Sequence, residues 1–112
     1  MSAIKIFYES NFKSELELSL VKRLIIEIFK TEGIPFDFLN IIFCSDEYLL
    51  RLNKKFLTHN TYTDIITFNY SNNNVEGELY ISWERALVNA NKFKVNMNFE
   101  ILRLIIHGCL HL

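Results

Sequence analysis

The fold is decided by residues 63–82, which read TDIITFNYSNNNVEGELYIS. Residues 63–70 are rich in β-branched and aromatic side chains, which favour the pleated, half-buried surface of a β-strand. Four polar residues follow at positions 71–74 and are typical of a tight turn. Residues 77–81 have strand composition again. The stretch therefore predicts two neighbouring strands that could pair as a hairpin.

The segments that precede this hairpin alternate between strand and helix patterns. Residues 4–8 alternate in polarity and predict a strand. Ser14 begins a capping pattern for a helix that ends before Pro35. Residues 39–44 form a compact apolar run of strand length, and Ser45 with two acidic residues behind it is expected to cap a second helix.

Two helices are predicted after the hairpin. Ser82 is a suitable N-cap for a helix over residues 83–93, and either Asn96 or Asn98 can cap a last helix that continues to the end of the sequence. The order of elements is strand, helix, strand, helix, strand, strand, helix, helix. This order predicts one α/β domain over residues 1–112, with a mixed sheet of about four strands packed with helices. No internal repeat suggests a second domain.

Composition restricts the class of protein. The sequence has 112 residues, of which 50% are hydrophobic and 22% charged, as in a globular domain and unlike a disordered chain. We expect no membrane helix and no secretory signal, and therefore a cytoplasmic protein with its two cysteines reduced. The net charge of −1 excludes a protein that coats nucleic acid nonspecifically, so any contact with RNA must be local.

The last helix carries the residues with the clearest chemistry. It is apolar almost all round, which predicts a position in the middle of the fold. His107 and His111 are four residues apart, so their rings project from one face and can reach one cation. Arg103 lies one turn earlier. Gly108 between the histidines is costly inside a helix, which indicates that something must approach the backbone there.

Two histidines at this spacing do not by themselves identify a metal site. Such pairs are more often two surface or hydrogen-bonded residues than two ligands. The pattern also differs from the HExxH motif of zinc peptidases, because Gly108 occupies the place of their general-base glutamate.

The residues from His107 to Leu112, HGCLHL, resemble the start of the YbeY family signature H-G-x-L-H-L-x-G-Y-D-H. The resemblance begins at about Leu39 and continues to the end of the sequence. Further matches in the family's order are Leu52-Asn53, Thr63-Asp64-Ile65-Ile66-Thr67-Phe68, Gly77-Glu78-Leu79-Tyr80-Ile81-Ser82 and Ala90. On these motifs the sequence is identified as a member of the YbeY family of zinc-dependent nucleases of ribosomal-RNA maturation.

The resemblance implies a function and its partners. It implies a zinc-dependent single-strand endoribonuclease that acts in ribosomal RNA maturation and ribosome quality control, by metal-assisted hydrolysis of a phosphodiester. The expected partners are ribosomal RNA and the small ribosomal subunit, with no membrane and no DNA. The expected cofactor is one Zn²⁺ ion. No catalytic acid or base can be assigned to a numbered residue.

The resemblance also assigns site residues. It implies that His107 and His111 bind the metal, and that a third ligand follows six positions after His111, beyond Leu112. The sequence as it stands is expected to bind zinc weakly or not at all, because catalytic zinc commonly takes three protein ligands. Leu57 stands where the family usually has a basic residue that meets RNA. The remaining candidates for RNA contact are Lys54, Lys55, His59 and Arg103.

Two other functions are compatible with these residues. One is a noncatalytic ribosome-assembly factor with a structural zinc, which Leu57 favours because leucine cannot stabilise phosphate charge. The other is a metal-dependent hydrolase of another substrate, which Gly108 disfavours. Asp64 and Glu78, near strand ends, could orient metal ligands, although turn or capping bonds are the more common role of such residues.

Overall fold

The computed structural model describes residues 3–9 and 17–112 and contains one mixed β-sheet in that part of the chain. The order of the strands across the sheet is β1-β2-β4-β3. The first two pairs are parallel, and β3 pairs antiparallel with β4 at the edge. The strands are β1 (Ala3–Tyr8), β2 (Phe36–Cys44), β3 (Ile65–Asn69) and β4 (Val75–Ser82).

In the described part of the chain, four helices connect and cover these strands, and polar residues cap three of them. The side chains of Ser45, Ser82 and Asn96 each accept a hydrogen bond from a backbone N–H three residues on, which satisfies a donor that has no partner within the helix. Asn96 is therefore the cap of the last helix. Ser14 lies outside the described residues. The helices are α1 (Leu18–Thr31), α2 (Asp46–Leu57), α3 (Trp83–Phe93) and α4 (Met97–Leu110).

The hydrophobic core lies mainly on one face of the sheet. Side chains from β2 and β4 meet α1 and α4 there, and burying each large aliphatic residue contributes about 1.5–3 kcal/mol. A smaller cluster under α2 covers the other face near β3. Fully buried members of the larger cluster include Ile25, Leu39, Ile41, Leu79, Ile81 and Ile101.

The predicted hairpin is confirmed, and it places β3 at the open edge of the sheet. Alternate residues of β3 face opposite sides, so Ile65 packs against the larger core and Ile66 against the smaller one. Ser82 N–H donates to the Asp64 carbonyl and Tyr70 N–H to the Glu76 carbonyl. In this register the backbone groups of Ile65 point away from β4, toward the open edge.

The last helix differs from its predicted position in the middle of the fold. It is buried along one side only, where Ile101 and Ile105 pack into the core. Phe99 and Leu110 remain exposed, so the apolar composition of the helix exceeds what the fold buries. His107 and His111 lie on the exposed side. No helix within residues 3–9 and 17–112 is long and apolar enough to span a membrane.

Candidate metal centre and adjoining groove

His107 and His111 lie next to each other on the exposed side of α4. Their ring centroids are 4.3 Å apart and the ring planes are inclined by 52°. A pocket of about 260 Å³ opens at this pair, lined by both histidines and by Ile65 and Thr67 of β3. The structure thus brings together the two predicted ligands, beside the edge strand and open to solvent.

Gly108 explains why α4 can lie so close to the sheet. A β-carbon at this position would come within 2.7 Å of Ile65 Cδ1 and 3.0 Å of Leu79 Cδ2. Real β-carbons do not approach other atoms so closely, so a side chain here would require the ends of the Ile65 and Leu79 side chains to move. The close approach predicted from the sequence is confirmed. It places His107 and His111 at the pocket that Ile65 also lines.

Arg103 is fixed by a buried carboxylate one turn before His107. Its Nε and Nη2 donate to Glu100 at 2.7 Å each, while 44% of the Arg103 side chain remains exposed. Among the described residues, no hydrogen-bond partner is found for Nη1 of Arg103. The hydrogen bonds from Arg103 lower the pKa of Glu100, and the carboxylate raises the pKa of Arg103. The guanidinium is therefore held in place with donors left for an anion.

Asn89 of α3 extends this network to the start of β3. Its side-chain amide lies 3.2 Å from Glu100 Oε2 and 3.1 Å from Asp64 Oδ2. Asp64 thus belongs to the hydrogen-bond network that links β3, α3 and α4. Glu78 has a different role, because it accepts hydrogen bonds from the hydroxyl groups of Tyr70 and Tyr80. Neither carboxylate is hydrogen-bonded to His107 or His111 within the described part of the chain.

A second pocket, of about 450 Å³, continues along the same edge of the sheet. It shares Ile65 and Thr67 with the histidine pocket, so the two form one groove beside β3. The lining of this second pocket comprises Asn53, Leu57, His59, Thr61, Tyr62, Thr63, Ile65, Ile66 and Thr67. The groove therefore contains His59 and Leu57 as well as the metal-ligand candidates.

The other predicted RNA contacts do not line either pocket of the groove among the residues described. Lys54 and Lys55 are exposed near the end of α2 and line neither pocket among the residues described. The ammonium group of Lys55 lies 5.2 Å from the centroid of the Phe56 ring. Arg103 flanks the histidine pocket without lining it. The structure therefore separates the basic candidates into a group on α2 and a single arginine on α4.

The loop between α2 and β3 contains groove residues that the sequence analysis did not select. Thr58 has a positive φ of 55° and ends α2, after which the Asn53 side chain donates to the Thr61 carbonyl at 2.8 Å. Asn53 itself is buried. These bonds position Tyr62 in the groove. The sequence signal for Tyr62 was an aromatic residue directly before the Thr63-Asp64 motif.

The described residues contain no cluster of three His, Cys, Asp or Glu side chains that could hold a metal ion. The two cysteines cannot complete the site, because both are buried away from it in the core. Burial raises the pKa of Cys44 and of Cys109 to about 12, which disfavours the thiolate that a metal binds. Among the described residues that line this pocket, the imidazole nitrogens come from His107 and His111.

Comparison with known proteins identifies the family. The sequence model of the endoribonuclease YbeY family matches residues 6–112. A relative named endoribonuclease YbeY from Flavobacterium psychrophilum is 43% identical over 108 residues, which cover 93% of this chain and 74% of the relative. The protein of that name from Christiangramia forsetii is 49% identical over 74 residues, covering 65% of this chain and 52% of the relative. The chain thus spans about half to three quarters of the length of these two relatives.

The fold is also similar to a solved structure. The solution structure of TM1509 from Thermotoga maritima superposes with a TM-score of 0.68 at 33% sequence identity, covering 96% of this chain and 70% of that one. The resemblance of the motifs, the match to the family model and the shared fold agree. The chain belongs to the endoribonuclease YbeY family, whose named members are hydrolases of RNA.

Proposed function

We propose that this chain is the metal-binding domain of a zinc-dependent endoribonuclease that cleaves single-stranded RNA during ribosomal RNA maturation. The observation that carries the proposal is the pair of imidazoles, 4.3 Å apart, at one end of a groove along the open edge of the sheet. A groove open at the surface admits an extended strand to this pair. The names of the curated relatives support RNA as the substrate.

The residues at the site fit a zinc ion in part. Imidazole nitrogen is a preferred zinc ligand, and two rings one helical turn apart can bind one ion. His107 and His111 would hold the metal, and we propose that a third ligand lies beyond Leu112. When bound, zinc polarises a phosphoryl oxygen and lowers the pKa of a water molecule toward about 7. This chain alone would therefore bind zinc weakly.

The protein's own charges would position the substrate. Arg103, held by Glu100, has free N–H donors that can bind a phosphate oxygen next to the histidine pocket. His59 offers a further donor at the other pocket of the groove. Lys54 and Lys55 would contact the strand where it leaves the groove on the α2 side. No residue is assigned as the acid or base.

The proposed setting is the maturation and quality control of ribosomes in the cytoplasm. Ribosomal RNA and the small ribosomal subunit are the proposed partners, and neither a membrane nor DNA is expected to bind. The overall charge of −1 gives little general attraction to RNA. Affinity for the ribosome would then depend on these local contacts.

Leu57 supports a second candidate function. It lines the groove at the position where the resemblance places a basic residue, and its side chain carries no charge. A noncatalytic ribosome-assembly factor with a structural zinc would not need that charge. A metal-dependent hydrolase of another substrate is less favoured, because Gly108 follows the first histidine where zinc peptidases have their glutamate.

Cleavage assays distinguish these functions. The full-length protein should cut a single-stranded RNA, and both a chelator and the His111→Ala substitution should abolish cutting. Equal cutting by all three samples would contradict the proposal and identify a contaminating nuclease. An absence of cutting together with retained binding to the small subunit would favour the assembly factor.

A further inference from the structure

The larger pocket of the groove contains the exposed aromatic ring of Tyr62. We propose that Tyr62 stacks against a base of the RNA strand, and that the pocket around it is a nucleobase subsite next to the cleaved phosphate. The inference rests on the proposed function and names a part of the substrate that the histidine pair does not contact.

The Tyr62 side chain is both accessible and held in place. It is 54% exposed, although large aromatic residues gain most from burial. The guanidinium carbon of Arg85 lies over the ring, 5.6 Å from its centroid. Arg85 is itself bound to Asp46 at 2.8 Å. A ring fixed in this way loses little conformational entropy when a base stacks on it.

The polar groups around Tyr62 suit a base with mixed donors and acceptors. Three threonines line the pocket, and a threonine hydroxyl group can donate or accept a hydrogen bond. His59 adds an imidazole, and the lining within the described chain includes no carboxylate that would repel a polyanion. Adaptable hydroxyl groups and a stacking ring favour binding of any base with little preference among them. The threonines are Thr61, Thr63 and Thr67.

The Tyr62 pocket adjoins the histidine pocket, where the phosphate would be cleaved. Ile65 and Thr67 line both pockets, and residues two apart on a strand are separated by about 7 Å. The volume of about 450 Å³ lies within the range of roughly 300–1,000 Å³ that small-molecule sites occupy. A base in this pocket would therefore belong to a nucleotide adjacent to the phosphate at the histidine pair.

Binding of single-stranded RNA oligonucleotides by the full-length protein, measured by fluorescence anisotropy with a chelator present to prevent cleavage, tests the subsite. Tyr62→Ala should weaken binding by about tenfold, and Tyr62→Phe should keep the wild-type affinity, because stacking needs the ring and not the hydroxyl. Phe93→Ala is a matched control, since Phe93 is 55% exposed with the Lys92 ammonium 5.7 Å from its ring centroid, yet lies outside the groove. It should bind as the wild type does.

Oligonucleotides that each lack one base identify the stacked nucleotide. Removing the base that stacks on Tyr62 should weaken binding to the wild type and eliminate the difference between wild type and Tyr62→Ala. A Tyr62→Ala protein that binds as tightly as the wild type, or a loss of affinity that persists on every such oligonucleotide, overturns the inference. If the wild type still cuts RNA in those cases, the proposed function stands. A wild type that neither binds nor cuts RNA overturns both.

Discussion

Gly108 and Ile65 lie so close together that a single added methyl group at Gly108 would come within 2.7 Å of Ile65 Cδ1. Because of this contact, α4 packs closely against the edge strand β3. The packing positions His107 and His111 at the pocket that Ile65 lines. The geometry of the candidate metal centre thus depends on a hydrophobic contact between a helix and a strand.

The Gly108→Ala substitution tests this contact. Helix propensity alone would stabilise the protein by about 1 kcal/mol, whereas overpacking costs about 1–3 kcal/mol. We therefore expect a net loss of about 1 kcal/mol in the free energy of unfolding, measured by urea denaturation. Ile65→Val removes the clashing methyl group, so Gly108→Ala should cost less in that background. A stabilised Gly108→Ala protein would show that the ends of the Ile65 and Leu79 side chains move aside at little cost, and would contradict overpacking at this contact.

Arg103 is expected to contribute to stability through Glu100. The Arg103→Ala substitution removes two hydrogen bonds from a carboxylate that is buried, and among the described residues it leaves that charge with the amide of Asn89 as its side-chain partner. The free energy of unfolding should fall by about 2–3 kcal/mol. Arg23→Ala, at an exposed position on α1, is the control and should change it by less than about 0.5 kcal/mol. Equal effects of both substitutions would refute a structural role for the pair.

The interaction between Arg103 and Glu100 also makes the free energy of unfolding depend on pH. The hydrogen bonds from Arg103 hold the pKa of Glu100 below the ordinary value of about 4.3 that it has in the unfolded chain. The contribution of ionised Glu100 to the free energy of unfolding is therefore fully present above a pH of about 4.3. It is lost as the pH falls through the lowered pKa of Glu100. Denaturation at a series of acidic pH values should show a steeper loss of stability for the wild type than for Glu100→Gln. Parallel plots of stability against pH for the two proteins would show that Glu100 is not the source of the pH dependence.

Both cysteine thiols should be unreactive in the folded protein. Burial raises the pKa of Cys44 and Cys109 to about 12, and the charges of Glu9 and Asp46 add to the effect at Cys44. A thiol reagent at pH 8 should modify the native chain far more slowly than the urea-unfolded chain. Because burial raises the pKa of both thiols in the folded state, their protonated form contributes to the free energy of unfolding. This contribution is fully present below the unfolded pKa of about 8.5 and declines as the pH rises toward 12. Rapid modification of either native thiol would contradict the burial.

The sequence predicted the elements of the fold better than their arrangement. The hairpin followed from a β-branched strand and an asparagine-rich turn, and Ser45 and Ser82 were expected as helix caps from local chemistry alone. The order of strands depends on long-range pairing, which no local pattern encodes. The edge position of β3, and with it the groove, could therefore not be predicted.

The candidate site was likewise predicted only in part. The four-residue spacing brought His107 and His111 together, because helical geometry is local. The apolar composition of α4 wrongly predicted a position in the middle of the fold, because composition does not distinguish the apolar residues that the fold leaves exposed, such as Phe99. Burial of Glu100 was also missed. A glutamate in the first turn of a helix ordinarily interacts with the helix dipole at the surface, and only the tertiary structure shows that Asn89 and Arg103 enclose it.

Zinc titration followed by NMR of the ¹⁵N-labelled imidazole rings tests the central claim most directly, because it detects weak binding residue by residue. We predict that zinc shifts the ring signals of His107 and His111 together and leaves those of His59 unchanged, and that His107→Ala removes the shift at His111. Equal shifts at all three histidines, or an unchanged shift at His111 in the His107→Ala protein, would contradict a shared metal site.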